Sequence, residues 1–263
     1  MKRHLKLFFL YFAQYTKVRL AYKADFIIAF FSSMAATVLG FGFMLVLFRK
    51  ISRLQDWSFD EILFLYGFSL LPLGFFNVIS WNLYDFGELY IIEGRFDRVL
   101  LRPVATLFQV AFEKFRLESL QEVVTGAAVV AIAAERLGLP WRVTDLFWFA
   151  FMVLCGAIIY FAVFLILTAV AFWFEDRVGI VPPVFNMLNF GRYPLTIYNV
   201  FIQFLLSWII PFGFASFYPT THFLGRAAFT PYFHLVPVVS ATFFLLAIFV
   251  WNRGVENYSS TGS

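Results

Sequence analysis

Three features of this sequence predict an all-α integral membrane protein with six transmembrane helices. Hydrophobic residues make up 62% of it and charged ones 14%, against roughly 25% charged in soluble domains, so there are too few charges to cover a water-facing surface. Five uncharged stretches, residues 26–48, 62–84, 146–174, 195–221 and 235–251, are long enough to cross a bilayer, which takes ~20 apolar residues. A sixth stretch, 117–134, is weaker because Glu118, Gln121 and Glu122 sit at its start. Residues 1–263 read as a single transmembrane domain, with no internal repeat and no linker.

Residues 1–24 read as an amphipathic helix lying in the membrane interface. Leu5, Phe8, Phe9 and Phe12 recur at helical spacing, and Lys2, Arg3, Lys6, Lys17 and Lys23 supply cationic anchors for lipid headgroups. The apolar run 7–13 resembles a signal peptide only in outline, because basic residues and a full-length apolar stretch follow it. With the N-terminus inside, fourteen of the twenty basic residues, Arg177 and Arg192 among them, fall on cytoplasmic segments. The other side holds Arg49, Lys50, Arg53, Arg136, Arg142 and Arg226. Lys and Arg near span ends resist translocation, so this bias places both termini in the cytoplasm.

The longest cytoplasmic segment, 85–116, has Leu89, Ile92, Phe96, Val99 and Leu100 at helical spacing, with Glu88, Glu93, Arg95, Asp97, Arg98 and Arg102 between them. This pattern predicts a short amphipathic helix interrupted at Gly94 and stopped before Pro103. A second amphipathic segment, 108–122, leads into the third span. Farther on, Pro182-Pro183 and Tyr193-Pro194 predict a short cytoplasmic turn before the fifth span. Residues 211–234 hold Pro211, Tyr218, Pro219 and Pro231 and a single charge, Arg226. They are too apolar for an exposed loop and too rich in proline for one straight helix, so a broken or re-entrant element on the outer side is expected.

Several kinds of chemistry are missing. No Gly is followed by Lys, so there is no phosphate-binding Walker A loop. The five clear stretches contain no Asp, Glu, Lys or Arg, whereas ion-coupled transporters place ionisable groups inside the bundle. His222 and His234 lack a nearby acid or Cys to complete a metal site, and lone Cys155 reads as a small buried residue. No extended basic run points to nucleic acid. The chain is not expected to be an enzyme, and any vectorial work must draw its energy from another subunit.

The run Gly94-Arg95-Phe96-Asp97-Arg98-Val99-Leu100-Leu101-Arg102-Pro103 resembles the signature "G-x-hydrophobic-D-x-x-L-L-R-P" of permease subunits in the ABC-2-type transporter superfamily. The Arg192-Tyr193-Pro194 turn, the Ile210-Pro211-Phe212 element with Tyr218-Pro219, and the tail 254–263 are similar to a bacterial six-span branch of it. The resemblance covers essentially the whole chain. It implies a type V exporter-like fold, with an N-terminal interfacial helix, a coupling helix between spans two and three, and short re-entrant helices between spans five and six. It also implies a place in the bacterial inner membrane, a second permease, identical or homologous, and two ATP-binding cassette subunits that carry ATP and Mg. Residues 88–102 would then transmit the ATPase movement, with Leu89, Phe96 and Leu100 anchoring in the partner's groove. A non-transporting scaffold subunit is the alternative, and cargo remains open among lipid, drug, glycan and peptide.

Overall fold

The computed structural model describes residues 2–174 and 181–259, and no strand occurs among them. The side chains of Lys2, Arg3 and His4, together with Arg177 and the tail residues 260–263, lie outside what is described. Helix α1 (Lys2–Ala21) is separated by a single residue from α2 (Lys23–Lys50). Helix α3 (Phe59–Ser80) continues through a 3-10 turn (Trp81–Leu83) into a π-helical stretch (Gly87–Ile92). Two short helices follow, α4 (Phe96–Leu100) and α5 (Thr106–Phe112), and then the long α6 (Leu120–Leu137) and α7 (Val143–Phe174). After α8 (Val181–Met187) come two 3-10 segments, Leu188–Arg192 and Leu195–Ile197. The chain ends in α9 (Val200–Phe204), α10 (Phe212–Ala215), α11 (Phe217–Phe223) and α12 (Thr230–Asn257).

Five helical stretches are long and apolar enough to cross a membrane: Lys23–Lys50, Phe59–Ile92, Leu117–Leu137, Val143–Phe174 and Ala227–Asn257. Local chemistry sets their ends. Ser58 opens α3 with a reciprocal capping box, its Oγ accepting from the Glu61 N–H (3.3 Å) while Glu61 Oε2 accepts from the Ser58 N–H (2.9 Å). Gly138 closes α6 at φ +61°, the left-handed conformation in which glycine pays no Cβ penalty, and its N–H and that of Leu139 satisfy the carbonyls of Glu135 and Ala134. Asp145 caps α7 from its first turn by accepting from the Arg142 N–H at 2.9 Å.

The bundle centres on α3, which packs against α6 on one side and α7 on the other. Between lipid-facing helices apolar burial gives little drive, so close approach through small residues matters more. A Cβ on Gly126 of α6 would lie 2.7 Å from the Gly67 carbonyl of α3, and one on Gly67 would meet the Val130 backbone at 2.9 Å. Basic residues Arg95, Arg98, Arg102, Lys114 and Arg116 cluster at the end of the bundle where α3 finishes and α6 begins, hereafter the basic end.

The stretch 195–221, expected as the fifth span, does not cross as a single helix. Val200–Ile209 and Phe212–Phe223 are bent by 71° at Ile210–Pro211. The residues flanking this pair on either side meet Trp57, in the loop that joins α2 to α3 at the end opposite the basic one. Thr196 Oγ1, just before the pair, accepts from Trp57 Nε1 at 2.9 Å. Arg226, just after it, lies over the Trp57 ring at 4.5 Å and binds Glu61 Oε1 at 2.6 Å. The pair therefore enters and leaves on the same face, and the break at Pro211 is the bottom of a re-entrant hairpin.

The crossing itself is made by residues 181–197, expected to be a cytoplasmic turn. Phe185 of α8 packs on Trp81 (5.7 Å) and Tyr84 (5.3 Å) at the basic end, whereas Thr196 reaches Trp57 at the other. A 3-10 helix rises about 2.0 Å per residue against 1.5 Å in an α-helix, so α8, the two 3-10 segments and the extended Tyr193-Pro194 span ~30 Å, the thickness of the hydrocarbon core. The irregular backbone is shielded, since Pro194 and Leu195 are buried and Ser216 Oγ donates to the Gly191 carbonyl at 2.8 Å. Arg192, expected in that turn, consequently lies within the bundle.

Gly126→Ala should destabilise the detergent-solubilised protein by about 1–3 kcal/mol, the range for overpacking at a close contact. Thermal unfolding followed by circular dichroism measures it, and an unchanged midpoint would show that the glycine contact between α3 and α6 is not limiting.

Candidate functional site

Residues 85–116 form a compact cap on the basic end. Gly94 adopts φ +69°, so the amphipathic segment breaks there, as its sequence predicts, into the π-helical stretch and α4. The two faces of this segment are divided differently from expectation. Phe96 is fully buried, 4.9 Å from Tyr258, 5.0 Å from Phe172 and 5.9 Å from Phe86 (ring centroids). An anchoring role in a partner's groove is therefore closed to Phe96, whose contacts hold the cap to the ends of α7 and α12. Leu89 is half-buried.

The exposed side carries Glu88, Ile92, Glu93, Arg95, Arg98, Leu100, Leu101, Arg102 and Pro103. Leu101, at 84% exposure, is the most prominent apolar side chain on it. Sequence reasoning left it out because α4 ends at Leu100, and Leu101 falls outside the helical repeat. Isolated apolar tips ringed by charge suit docking to a folded partner. Glu93 and Arg95 pair with each other at 2.6 Å, so not every charge on this face is available to a partner.

Hydrogen bonds fix the cap to the bundle. Asn82 Nδ2 donates to the Tyr90 hydroxyl (2.8 Å) and to the Val110 carbonyl (2.7 Å), and the Tyr90 hydroxyl donates to Glu113. Gln109 Nε2 donates to the carbonyls of Val99 (3.1 Å) and Val104 (2.8 Å), which supports the turn around Pro103. From the end of α12, Trp251 Nε1 donates to Thr106 Oγ1 (3.2 Å) and the Tyr258 hydroxyl to Asp97 Oδ1 (3.0 Å). Burial, followed by that hydrogen bond and the carboxylate's charge, pushes the Tyr258 phenol up to about 12. The N-terminal helix joins the same platform, with Phe8 and Phe12 against Phe115 (5.5 and 5.2 Å) and Arg19 paired with Glu118 at 2.9 Å.

A second group of polar residues lies between α2, α3, α6 and the 188–192 segment. Gln121 Nε2 donates to Ser33 Oγ (3.1 Å) and Thr37 Oγ1 (3.3 Å), Asn77 Nδ2 to Glu122 Oε2 (2.8 Å), and the Tyr66 hydroxyl to the Thr37 carbonyl (2.8 Å). Arg192 continues this seam, its guanidinium 5.8 Å from the Tyr66 ring centre. The polar residues that weaken the third apolar stretch thus divide into two uses. Glu118 belongs to the platform, while Gln121 and Glu122 turn into the bundle. On the other flank, α3, α5, α6 and α7 enclose an apolar crevice of about 850 Å³ lined by Phe75, Phe76, Phe112, Phe149 and Phe161.

Pro211, Tyr218 and Pro219, expected in the re-entrant region, lie in the hairpin, whereas Tyr193 and Pro194, expected at a cytoplasmic turn, lie in the crossing segment, and the five do not meet at one point. Tyr218 holds the hairpin together by a 2.8 Å bond with Ser207 and by stacking on Tyr232 at 4.6 Å. His222 stacks on Phe233 at 4.0 Å.

The raised phenol sets a pH window. The Tyr258–Asp97 contribution is complete below about pH 10, the ordinary tyrosine value, and is lost as pH rises through about 12. Alkaline thermal unfolding should therefore fall more steeply in the parent than in Tyr258→Phe, and parallel curves would discount the bond.

Residues 32–262 match the profile of a family described as ABC-2 family transporter protein. Comparison with curated proteins and with solved structures returned no match. The matched span takes in the cap, the polar seam, the re-entrant hairpin, α2 from residue 32 onward and the other four apolar helices long enough to cross a bilayer. This chain is a multi-pass membrane protein and belongs to the ABC-2 transporter family.

Proposed function

We propose that this chain is a permease subunit of an ATP-binding cassette exporter, forming half of the translocation path and driven by a separate ATPase. The observation that carries the reading is the cap on the basic end. It presents Ile92, Leu100 and Leu101 among Glu88, Arg98 and Arg102, while Phe96, in contact with Phe172, Trp251 and Tyr258, binds it to the ends of α7 and α12. A push on the exposed side is passed through these aromatic contacts to α7 and α12 without an intervening flexible joint. The absence of a Walker A sequence leaves nucleotide hydrolysis to the partner, which carries ATP and Mg. The positive-inside rule places the basic end, and with it both termini, in the cytoplasm where that ATPase works, which suits the inner membrane of a bacterium. The exposed apolar face of α9, with Val200 and Phe201, suits a second permease, identical or homologous.

Asp97 is engaged by Tyr258, so replacing it would disturb the cap from within. Arg98→Glu combined with Leu101→Glu alters only the exposed side. That variant should insert normally and weaken the ATPase complex by roughly tenfold or more, as loss of a central interface contact does. Co-purification of the ATP-binding subunit from native membranes measures the effect. Full retention of the subunit and of stimulated ATP hydrolysis would remove the cap as the docking surface.

A further inference from the structure

We propose that Arg192 is the recognition group for an anionic headgroup, phosphate or carboxylate, of an amphipathic ligand held inside the membrane. Its depth comes from its neighbours. Tyr66 lies seven residues into α3 and Gly40 ten residues before the end of α2; at 1.5 Å per residue both are about 10–15 Å below the face opposite the basic end. The guanidinium sits between them. A Cβ on Gly40 would stand 3.5 Å from Arg192 Nη1 and 2.9 Å from the Tyr66 hydroxyl.

No carboxylate among the described residues comes within ion-pair distance of Arg192, and its buried Nε has no hydrogen-bond partner. Glu122 is near enough to share its field but is already bonded to Asn77. The Tyr66 hydroxyl, the other strong polar group at this level, is committed to the Thr37 carbonyl. In the seam Asn77 Oδ1 and Gln121 Oε1 also lack a partner, but both are neutral, whereas Arg192 is a permanent cation. A charge at such depth is costly to keep unpaired, and its planar fork of N–H donors fits the oxygens of a phosphate or carboxylate. Arg192 is also only partly buried. The surroundings favour an amphiphile over a water-borne ion, because the α2 face beside Gly40 exposes Leu39 and Phe43. Acyl chains can lie against that face while the headgroup reaches the guanidinium.

Calling the ligand cargo rests on the transport reading above; the binding site itself does not. The test uses the full chain without any ATPase, in phosphatidylcholine nanodiscs, with dansyl-labelled phosphatidic acid detected by energy transfer from the protein's tryptophans. We expect Arg192→Gln to weaken binding at least tenfold and Arg192→Lys to weaken it several-fold, since lysine keeps the charge but loses the two-pronged contact. Arg136→Gln, at a surface arginine paired with Asp60 at 3.1 Å, should bind as the parent does. Labelled phosphatidylcholine should bind weakly to all four proteins. Circular dichroism and gel filtration establish folding, and if Arg192→Gln fails to fold, the lysine variant decides. Parental binding by the folded glutamine variant, or by the lysine variant where it decides, would overturn the proposal. So would equal loss in Arg136→Gln, or displacement of the lipid by inorganic phosphate at comparable concentration. Because no ATPase is present, these results stand apart from the co-purification that tests the transport reading.

Discussion

Backbone polar groups in hydrocarbon must find partners within the protein, and the less regular parts of this molecule are organised by that requirement. Where the chain is α-helical, the ladder satisfies it at once. Where it is not, along residues 181–197 and at Pro211, neighbouring side chains and proline take over. Pro194 and Pro211 bring no N–H to satisfy, and the Ser216 hydroxyl covers the Gly191 carbonyl. Asn199 caps α9 by accepting from the Ile202 N–H at 2.9 Å. The re-entrant hairpin protects the short crossing, since Ser216 supplies a donor that the crossing's broken ladder lacks. Trp57 pins both at the face opposite the basic end, its indole N–H bonded to Thr196 and its ring under Arg226.

Two surfaces follow from this scaffold. At the basic end, an aromatic knot of Phe86, Phe96, Phe172, Trp251 and Tyr258 ties the cap to helices that are distant in sequence. Edge-to-face ring contacts are directional as well as apolar, so they resist sliding better than aliphatic packing. Gly254 allows the approach, as a Cβ there would stand 2.3 Å from the Phe172 ring. Rigid attachment is what a surface needs if movement imposed on it is to reach the membrane. Midway through the bundle, the polar seam does the opposite kind of work. It places hydrogen-bonding groups in a medium that makes each one consequential, and it ends at Arg192, which makes no ion pair with the described residues.

Much of this was legible in the amino-acid order. Length and lack of charge identify the long apolar helices, because a bilayer sets one nearly fixed span. The helical spacing of Leu89, Ile92, Phe96 and Val99, with Gly94 among them, marks an amphipathic segment and its break. Proline density in 211–234 marks an element that cannot be a straight helix. The run from Gly94 to Pro103 carries the family likeness, and the match over residues 32–262 confirms the family.

Other features were settled only by tertiary structure. Periodicity shows that Phe96 and Leu100 share a face, but not whether that face meets the bundle or a partner; the converging ends of α7 and α12 decide, burying one and leaving the other exposed. Residues 181–197 carry Pro182, Pro183 and Pro194, which by local rules make a turn, yet neighbours that satisfy their backbone let them cross the membrane. Arg192 followed that segment from the surface into the bundle. A sequence determines which groups are polar and how long a helix can run. Depth in the bilayer belongs to the packed structure, because it depends on which distant residues are present to meet the backbone's unpaired groups.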